Sequence, residues 1–335
     1  MTRRGTALFV LMSVVWGLPY LLIKVAVGDL SPATVVEART AIGALILLPL
    51  AVRQGQLRPL GQAWKPLLAY TVAELAIPWW LLSDAEQRLP SSLSGLLVAT
   101  VPLIAVVLAA LSGHRDDVDR RGLGGLVIGL IGVTVLVGLD VGSRDVGAAG
   151  LVGLVAVGYA TGPLLASRYL GHLSSLALAA VSLTVVAIVY APVAVWQRPE
   201  HLPPGTVVAA VLLLGVVCTA LAFVAFFELI KEVGSTRATV ITYLNPAVAV
   251  VLGVVLLGER FSVGTGLGFA LILAGCWLST ARRGSVPPVD DPGEPAVVVD
   301  LAPSEAAGEG RSGGTSGPDP RLGGKERPDG GQVVG

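Results

Sequence analysis

Side chains that bind metals or carry redox chemistry are scarce in this sequence, with three histidines and two cysteines in 335 residues. The histidines (His114, His172 and His201) fall between apolar runs and do not cluster. Cys218 and Cys276 lie inside apolar runs, so neither metal-ligand spacing nor a disulfide framework is present. The sequence has no His-Glu-x-x-His and no glycine-rich loop ending in Gly-Lys-Ser/Thr, so the common zinc-hydrolase pattern and direct ATP drive are both unsupported. Charge is thin as well. Only 14% of residues are Asp, Glu, Lys or Arg, the formal net charge is zero, and nothing draws the chain toward nucleic acid. Apolar residues make up 53% of the chain and mean hydropathy is +0.77. A soluble domain of this size cannot hide that much apolar surface, so lipid is the solvent for most of it.

A bilayer core takes about 20 apolar residues as helix. On that scale the sequence predicts an all-α polytopic membrane protein with ten spans: 6–27, 32–52, 64–83, 91–111, 122–140, 146–167, 174–196, 205–230, 235–257 and 262–281. Between them lie turn-rich, charged stretches such as GHRDDVDRRG and QRPEHLPPG. Met1-Thr-Arg-Arg precedes the first run without a small-x-small cleavage site, which predicts a retained helix. With both termini cytoplasmic, thirteen Lys/Arg lie inside and four (Arg88, Arg144, Arg198 and Arg260) lie outside, as the positive-inside rule requires. Residues 284–335 are rich in Gly, Pro, Ser and Asp and are expected to form a disordered, acidic, cytoplasmic tail.

The chain also repeats itself. GDLS at 28–31 recurs as GHLS at 171–174, PLAV at 49–52 as PVAV at 192–195, and SGHR at 112–115 as LGER at 257–260. Pro102 matches Pro246, and Gly125 and Gly132 match Gly268 and Gly275, all at a separation of about 143 to 145 residues. Residues 1–140 and 141–283 therefore read as two copies of a five-helix unit. Because five is odd, the second copy enters the membrane inverted, and inverted repeats place a substrate site near midplane between the halves.

Three segments carry a specific resemblance: SVVWGLPYLLIK (13–24), Arg39 in the second span, and NPAVAVVLGVVLLGERFSVGTGLGFALILAG (245–275). Through them residues 1–281 resemble EamA-type members of the drug/metabolite transporter superfamily. The resemblance implies ten helices and secondary transport of a small molecule, commonly efflux. In one departure, Gly113-His114-Arg115 stands where the family often keeps Gly-Glu, a pair that the second repeat retains as Gly258-Glu259.

Proline inside a span removes a backbone donor and frees a carbonyl, which lipid tolerates only where protein or a watery cavity answers it. Pro19 and Pro163, and Pro102 and Pro246, form two repeat-related pairs and are expected to break helices around a central cavity. Asn245 beside Pro246 is placed either to satisfy a freed carbonyl or to contact substrate. Arg39 lies about 10 Å, and Glu74 about 15 Å, inside the membrane at helical rise. Those depths let them meet, either as a structural ion pair or as a substrate anchor in which Glu74 exchanges a proton. Trp16 and Tyr159 are repeat-related and deep. With Tyr20 and Trp79 they are candidates for aromatic walls suited to flat or cationic ligands. Lys24 is expected to snorkel, and Glu259 to be a solvated turn residue or a helix cap.

Gly125/Gly129 and Gly264/Gly268 have the spacing for close helix approach, so the fifth and tenth spans read as packing elements and as a homodimer contact. The leading expectation is a secondary transporter in a bacterial plasma membrane, driven by proton exchange, with a small molecule and membrane lipid as partners and no cofactor. The alternatives are an importer of the same fold and a membrane-embedded enzyme acting on a lipid-linked substrate. The enzyme would need a nucleophile–base pair or metal ligands near one membrane face.

Overall fold

The computed structural model describes residues 2–111, 120–140, 145–234, 238 and 241–280. The expectations for the 284–335 tail and for Gly113-His114-Arg115 lie outside those residues. The described residues are helical, with no strand among them. Eight stretches are long and apolar enough to cross a bilayer: Arg3–Ala26, Pro32–Arg53, Trp64–Glu86, Ser91–Leu108, Arg121–Asp140, Val146–Tyr169, Ser175–Trp196 and Gly205–Val233. Two shorter apolar helices follow, Ile241–Leu257 and Val263–Thr280. The count of spanning helices is thus eight to ten, against ten expected.

The helices begin where the sequence supplies caps. Ser31 accepts from the Thr34 N–H at 3.2 Å and starts α3 (Pro32–Arg53). Its repeat counterpart Ser174 accepts from Ala177 and starts α10 (Ser175–Trp196). The shared GDLS/GHLS motif is therefore an N-cap signal. Large apolar side chains such as Leu45, Leu130, Ile188 and Val195 point outward. That distribution suits lipid and would be costly in water.

Some stretches are interrupted. α1 (Arg3–Val15) and α2 (Leu18–Ala26) are separated at Trp16-Gly17, just before Pro19, and α6 (Ser91–Val98) and α7 (Val101–Leu111) at Ala99-Thr100, just before Pro102. Pro163 and Pro246, expected to break their spans too, lie within continuous helices, α9 (Val146–Tyr169) and α13 (Ile241–Leu257). Each break is answered by donors. In the first, Gly17 N–H turns back to Val14 O at 3.0 Å. In the second, Thr100 Oγ1 donates to Leu97 O at 2.7 Å, and Cys276 Sγ, from α14 (Val263–Thr280), donates to Ala99 O at 3.3 Å. A second kind of interruption is a wide π turn. One, Val72–Ala76, joins α4 (Trp64–Thr71) to α5 (Ile77–Glu86), and another, Val216–Leu221, joins α11 (Gly205–Gly215) to α12 (Ala222–Val233). They occupy equivalent positions in the two repeats, and such turns are frequent at functional sites.

Packing follows the repeat. Helices from equivalent positions lie against each other: α3 on α10, α6 on α13, and α8 (Arg120–Asp140) on α14. The last pair is a glycine seam. A Cβ at Gly275 would stand 2.5 Å from Gly129 N and 2.6 Å from Gly125 O, and one at Gly132 would stand 3.0 Å from Gly268 O. The glycines of the fifth and tenth spans thus serve contact between these two helices of one chain. Leu123, Val127, Leu130 and Leu267 remain on their outward faces.

Candidate functional site

The second π turn and α5 pack against α3 and meet at Arg39. This residue is 5% exposed, and its guanidinium lies 3.7 Å from the Trp79 ring centroid. One terminal nitrogen, Nη2, donates to Thr219 Oγ1 at 3.2 Å, while Nε has no partner. Thr219 belongs to the second π turn, and its Oγ1 donates a hydrogen bond to Leu214 O at 2.8 Å, five residues back. That hydroxyl answers the carbonyl of a turn wider than an α-helix. The contact joins the second stretch to the eighth. Its mirror through the repeat joins the seventh to the third, as Thr71 Oγ1 and Ser182 Oγ hydrogen-bond at 2.8 Å.

Glu74 sits on the first π turn. Pro78 supplies no N–H to the turn before it, and α9 lies close through two glycines. A Cβ at Gly158 would stand 2.5 Å from Ala73 O, and one at Gly162 would collide with the Glu74 carboxyl. The side chain therefore faces α9 instead of Arg39, and its Oε2 is buried without a partner. Of the two arrangements that their depths allow, the Arg39–Glu74 ion pair is not formed, because Trp79 and Thr219 hold the guanidinium and the wide turn aims the carboxylate at α9. Tyr159 connects the two regions, with its hydroxyl beside the Trp79 indole and within electrostatic reach of Glu74 and Arg39. Tyr20 is buried and lies within reach of Tyr159. Arg39, Trp79 and Tyr20, which are buried, and Glu74 and Tyr159, which are half-buried, thus form one neighbourhood.

The other candidates stand apart from it. Trp16 packs into an aromatic cluster on α12, with ring centroids 4.6 Å from Phe226 and 6.5 Å from Phe223. With its amide nitrogen turned toward the two carbonyls that surround it, Asn245 donates to Ile241 O at 2.9 Å and Ser13 O at 3.1 Å. Ser13 O is a carbonyl freed by the break at Gly17, so Asn245 serves that break from another helix. Pro163 is exposed and Pro246 is buried. Neither of two pockets among the described residues is lined by any of the four prolines. The larger, about 370 Å³, is an apolar groove between α4 and α10 lined by Trp64, Leu67, Leu68 and Val181. Lys24 does not snorkel. Its Nζ donates to Glu86 O at 2.6 Å and Leu89 O at 2.9 Å, closing the end of α5.

Two clasps lie at opposite ends of the bundle. At one, the Glu259 carboxylate accepts from Ser91 N at 2.7 Å and Ser92 N at 2.9 Å, capping α6 from the other repeat, and the small Gly253 admits it. Glu259 is therefore a helix cap, though of a distant helix. At the other end, Arg4 Nη2 meets Glu228 Oε2 at 2.9 Å and Thr2 bonds Glu232, tying α1 to α12.

Burial pushes the Glu259 carboxyl up, but the donors on Ser92 and Ser91 outweigh it and hold it below the usual carboxylate range. A carboxyl depressed in the folded state stabilises above its unfolded value, near about 4.3, and loses that contribution as pH falls through the folded value. Glu259→Ala is expected to cost about 1 kcal/mol, as losing a helix cap does. Thermal melts should show a gap between wild type and variant at neutral pH that closes in acid. A gap that ignores pH would mean that the carboxylate is not the cap.

Sequence reasoning missed three features: Thr219, the two π turns, and the burial of Glu86. The third stretch runs to Glu86, beyond the expected end at 83, and Trp79, Ser83 and Glu86 share a helix face, all three buried. That spacing of four and three was the available signal for Glu86. Pro78 was the signal for the first π turn, and nothing comparable marks the second.

Comparison with known proteins agrees with this architecture. The model of the EamA-like transporter family matches twice, over residues 3–138 and 147–281. The chain is 30% identical over 284 residues to the uncharacterized inner membrane transporter YedA of Escherichia coli K12, covering 83% of this chain and 90% of that protein. It is 28% identical over 284 residues to a probable terminal-alkyne amino-acid exporter of Streptantibioticus cattleyicolor, covering 82% and 92%. A solved crystal structure at 22% identity superposes with a TM-score of 0.60 over 83% of this chain and 98% of its own, which speaks for the fold alone. With both halves matched in order, the chain is a multi-pass membrane protein that belongs to the EamA-like transporter family.

Proposed function

We propose that this protein is a secondary transporter, not an enzyme, that exports a small metabolite or drug-like compound across a bacterial plasma membrane by alternating access. The observation that carries this reading is Arg39, a buried cation with no carboxylate partner, stacked on Trp79 with its Nε free. A buried guanidinium without an anion is costly, and a substrate bearing an acidic or strongly polar acceptor group would relieve that cost. Trp79, Tyr159 and Tyr20 supply aromatic surface beside it, and Glu74, with an unanswered oxygen, is the proton-exchanging group in this reading. An exporter among the relatives favours the outward direction. The distribution of Lys and Arg favours cytoplasmic termini.

Alternating access then opens one clasp at a time. Outward opening releases Glu259 from α6, and inward opening parts Arg4 from Glu228, an exposed and weakly held pair. The π turns are the natural hinges, since each already carries an extra residue beside the site. A homodimer through the fifth and tenth spans would use their outward leucine and valine faces, the glycines being taken up within the chain.

The test is an untargeted comparison of intracellular and extracellular small molecules in cells overproducing the wild type, Arg39→Ala or Glu74→Ala at matched membrane levels. A compound depleted inside and enriched outside only with the wild type is the expected result. The opposite distribution would assign import. Equal export by the wild type and Arg39→Ala would remove Arg39 from the site.

A further inference from the structure

Glu86 is the last residue of α5 and is 0% exposed, yet neither of its carboxylate oxygens has a hydrogen-bond partner. Its surroundings are charged but do not answer it. From α2, Lys24 lies within electrostatic reach, but its ammonium is bonded to the backbone carbonyls of Glu86 and Leu89. From α3, Arg39 is also within reach, and Trp79 and Thr219 hold its guanidinium. Tyr20 of α2 and Tyr159 of α9 contribute hydroxyl groups nearby, and Glu259, in the turn between α13 and α14, adds a second negative charge. On α6, which packs against α2 and α5, Ser94 is fully buried with its own Oγ unpartnered.

An ionised carboxylate in such a place loses its hydration without gaining donors, which is costly. The neutral acid avoids most of that cost and brings one O–H donor of its own. We propose that Glu86 is a proton-binding site, neutral in this closed arrangement, which gives its proton to water when the ends of α2, α5 and α6 part. The same parting frees Lys24 from the two carbonyls. The carboxyl O–H then breaks, the proton passes to water, and the ammonium, protonated throughout, balances the new negative charge. When the ends close again, the carboxylate takes a proton back from water and Lys24 returns to the carbonyls. The site is distinct from Glu74, and it stands whether or not the transport reading does, because it needs no substrate.

The experiment is infrared difference spectroscopy on purified full-length protein in detergent during pH titration, in H₂O and in D₂O. The expected result is a carbonyl band of a protonated carboxylic acid at neutral pH that shifts in D₂O and vanishes as pH rises. Glu86→Gln should remove that band, Glu74→Gln should leave it, and Glu86→Asp, a second variant should glutamine disturb folding, should move it. A band unchanged by Glu86→Gln in correctly folded protein would overturn the assignment by showing that Glu86 is ionised. A wild-type band that neither exchanges with D₂O nor titrates would overturn it as well, by making Glu86 a fixed structural acid.

Discussion

Arg39→Ala should abolish export of the compound that wild-type cells expel, while leaving the thermal stability of the purified protein unchanged or raised. The two halves of that result come from the same geometry. Arg39 has one neutral hydrogen bond, to Thr219, and one ring contact, to Trp79, and no anion pairs with it. Cation–π stacking returns about 0.5–2 kcal/mol, against a desolvation cost of several kcal/mol for a buried ion. Removing the charge therefore removes a burden on the fold. A bound substrate sees the reverse, since losing a buried charged partner typically costs about 2–5 kcal/mol, or roughly 30- to 4,000-fold in affinity. Arg39→Lys should not rescue transport, because an ammonium cannot lie flat on Trp79 and reach Thr219 together. A melting temperature several degrees lower with export intact would make Arg39 a structural residue.

How far the site could be read in advance depended on which rule acted. Span positions were legible because bilayer thickness fixes helix length, whereas GDLS/GHLS was legible only as a repeat, its serines being seen as caps in the structure. Arg39, Glu74, Trp79, Tyr159 and Tyr20 were selected by depth and residue type, and the fold brings them into one neighbourhood. Their pairing was illegible. Assigning Arg39 to Glu74 assumed regular α-helix between 71 and 77, where the π turn over Val72–Ala76 changes the direction of every side chain it carries. A wide turn with a proline after it leaves a trace in sequence. One answered by a hydroxyl, as Thr219 answers Leu214, leaves none.

The prolines make the same point from the other side. Pro19 and Pro102 coincide with breaks because donors from elsewhere meet the freed carbonyls, including Asn245 on α13 and Cys276 on α14. Those donors lie more than 170 residues away along the chain, so no local pattern distinguishes the breaking prolines from Pro163 and Pro246. Lys24 was illegible for a related reason, and so was the helix that Glu259 caps. Each serves a helix end from a distant segment, which a reading by depth mistakes for snorkelling in one case and leaves without a partner in the other.

Gly275→Ala should be among the most destabilising single-methyl changes in the chain, and Gly124→Ala, one of its closest chemical controls, should be neutral or mildly stabilising. Both glycines are helical and both lie on the α8–α14 pair. At Gly275 the new Cβ would stand 2.5 Å from Gly129 N and 2.6 Å from Gly125 O, backbone atoms that no rotamer change can move. At Gly124 it would meet nothing within 4 Å. The seam is antiparallel, with Gly125 against Ser279, Gly132 against Ile272 and Gly264 against Asp140, so a methyl at Gly275 must push apart the end of the pair where both backbones touch. Separation forfeits packing that supplies most of the attraction between helices in lipid, where no hydrophobic force draws them together. Overpacking of this kind costs about 1–3 kcal/mol, whereas alanine for glycine on an open helix face gains up to about 1 kcal/mol. Melting curves of the two variants in one detergent should therefore move in opposite directions from wild type. If they move together, the glycines of α8 and α14 act through helix propensity alone and the seam is not what holds the fifth and tenth spans together.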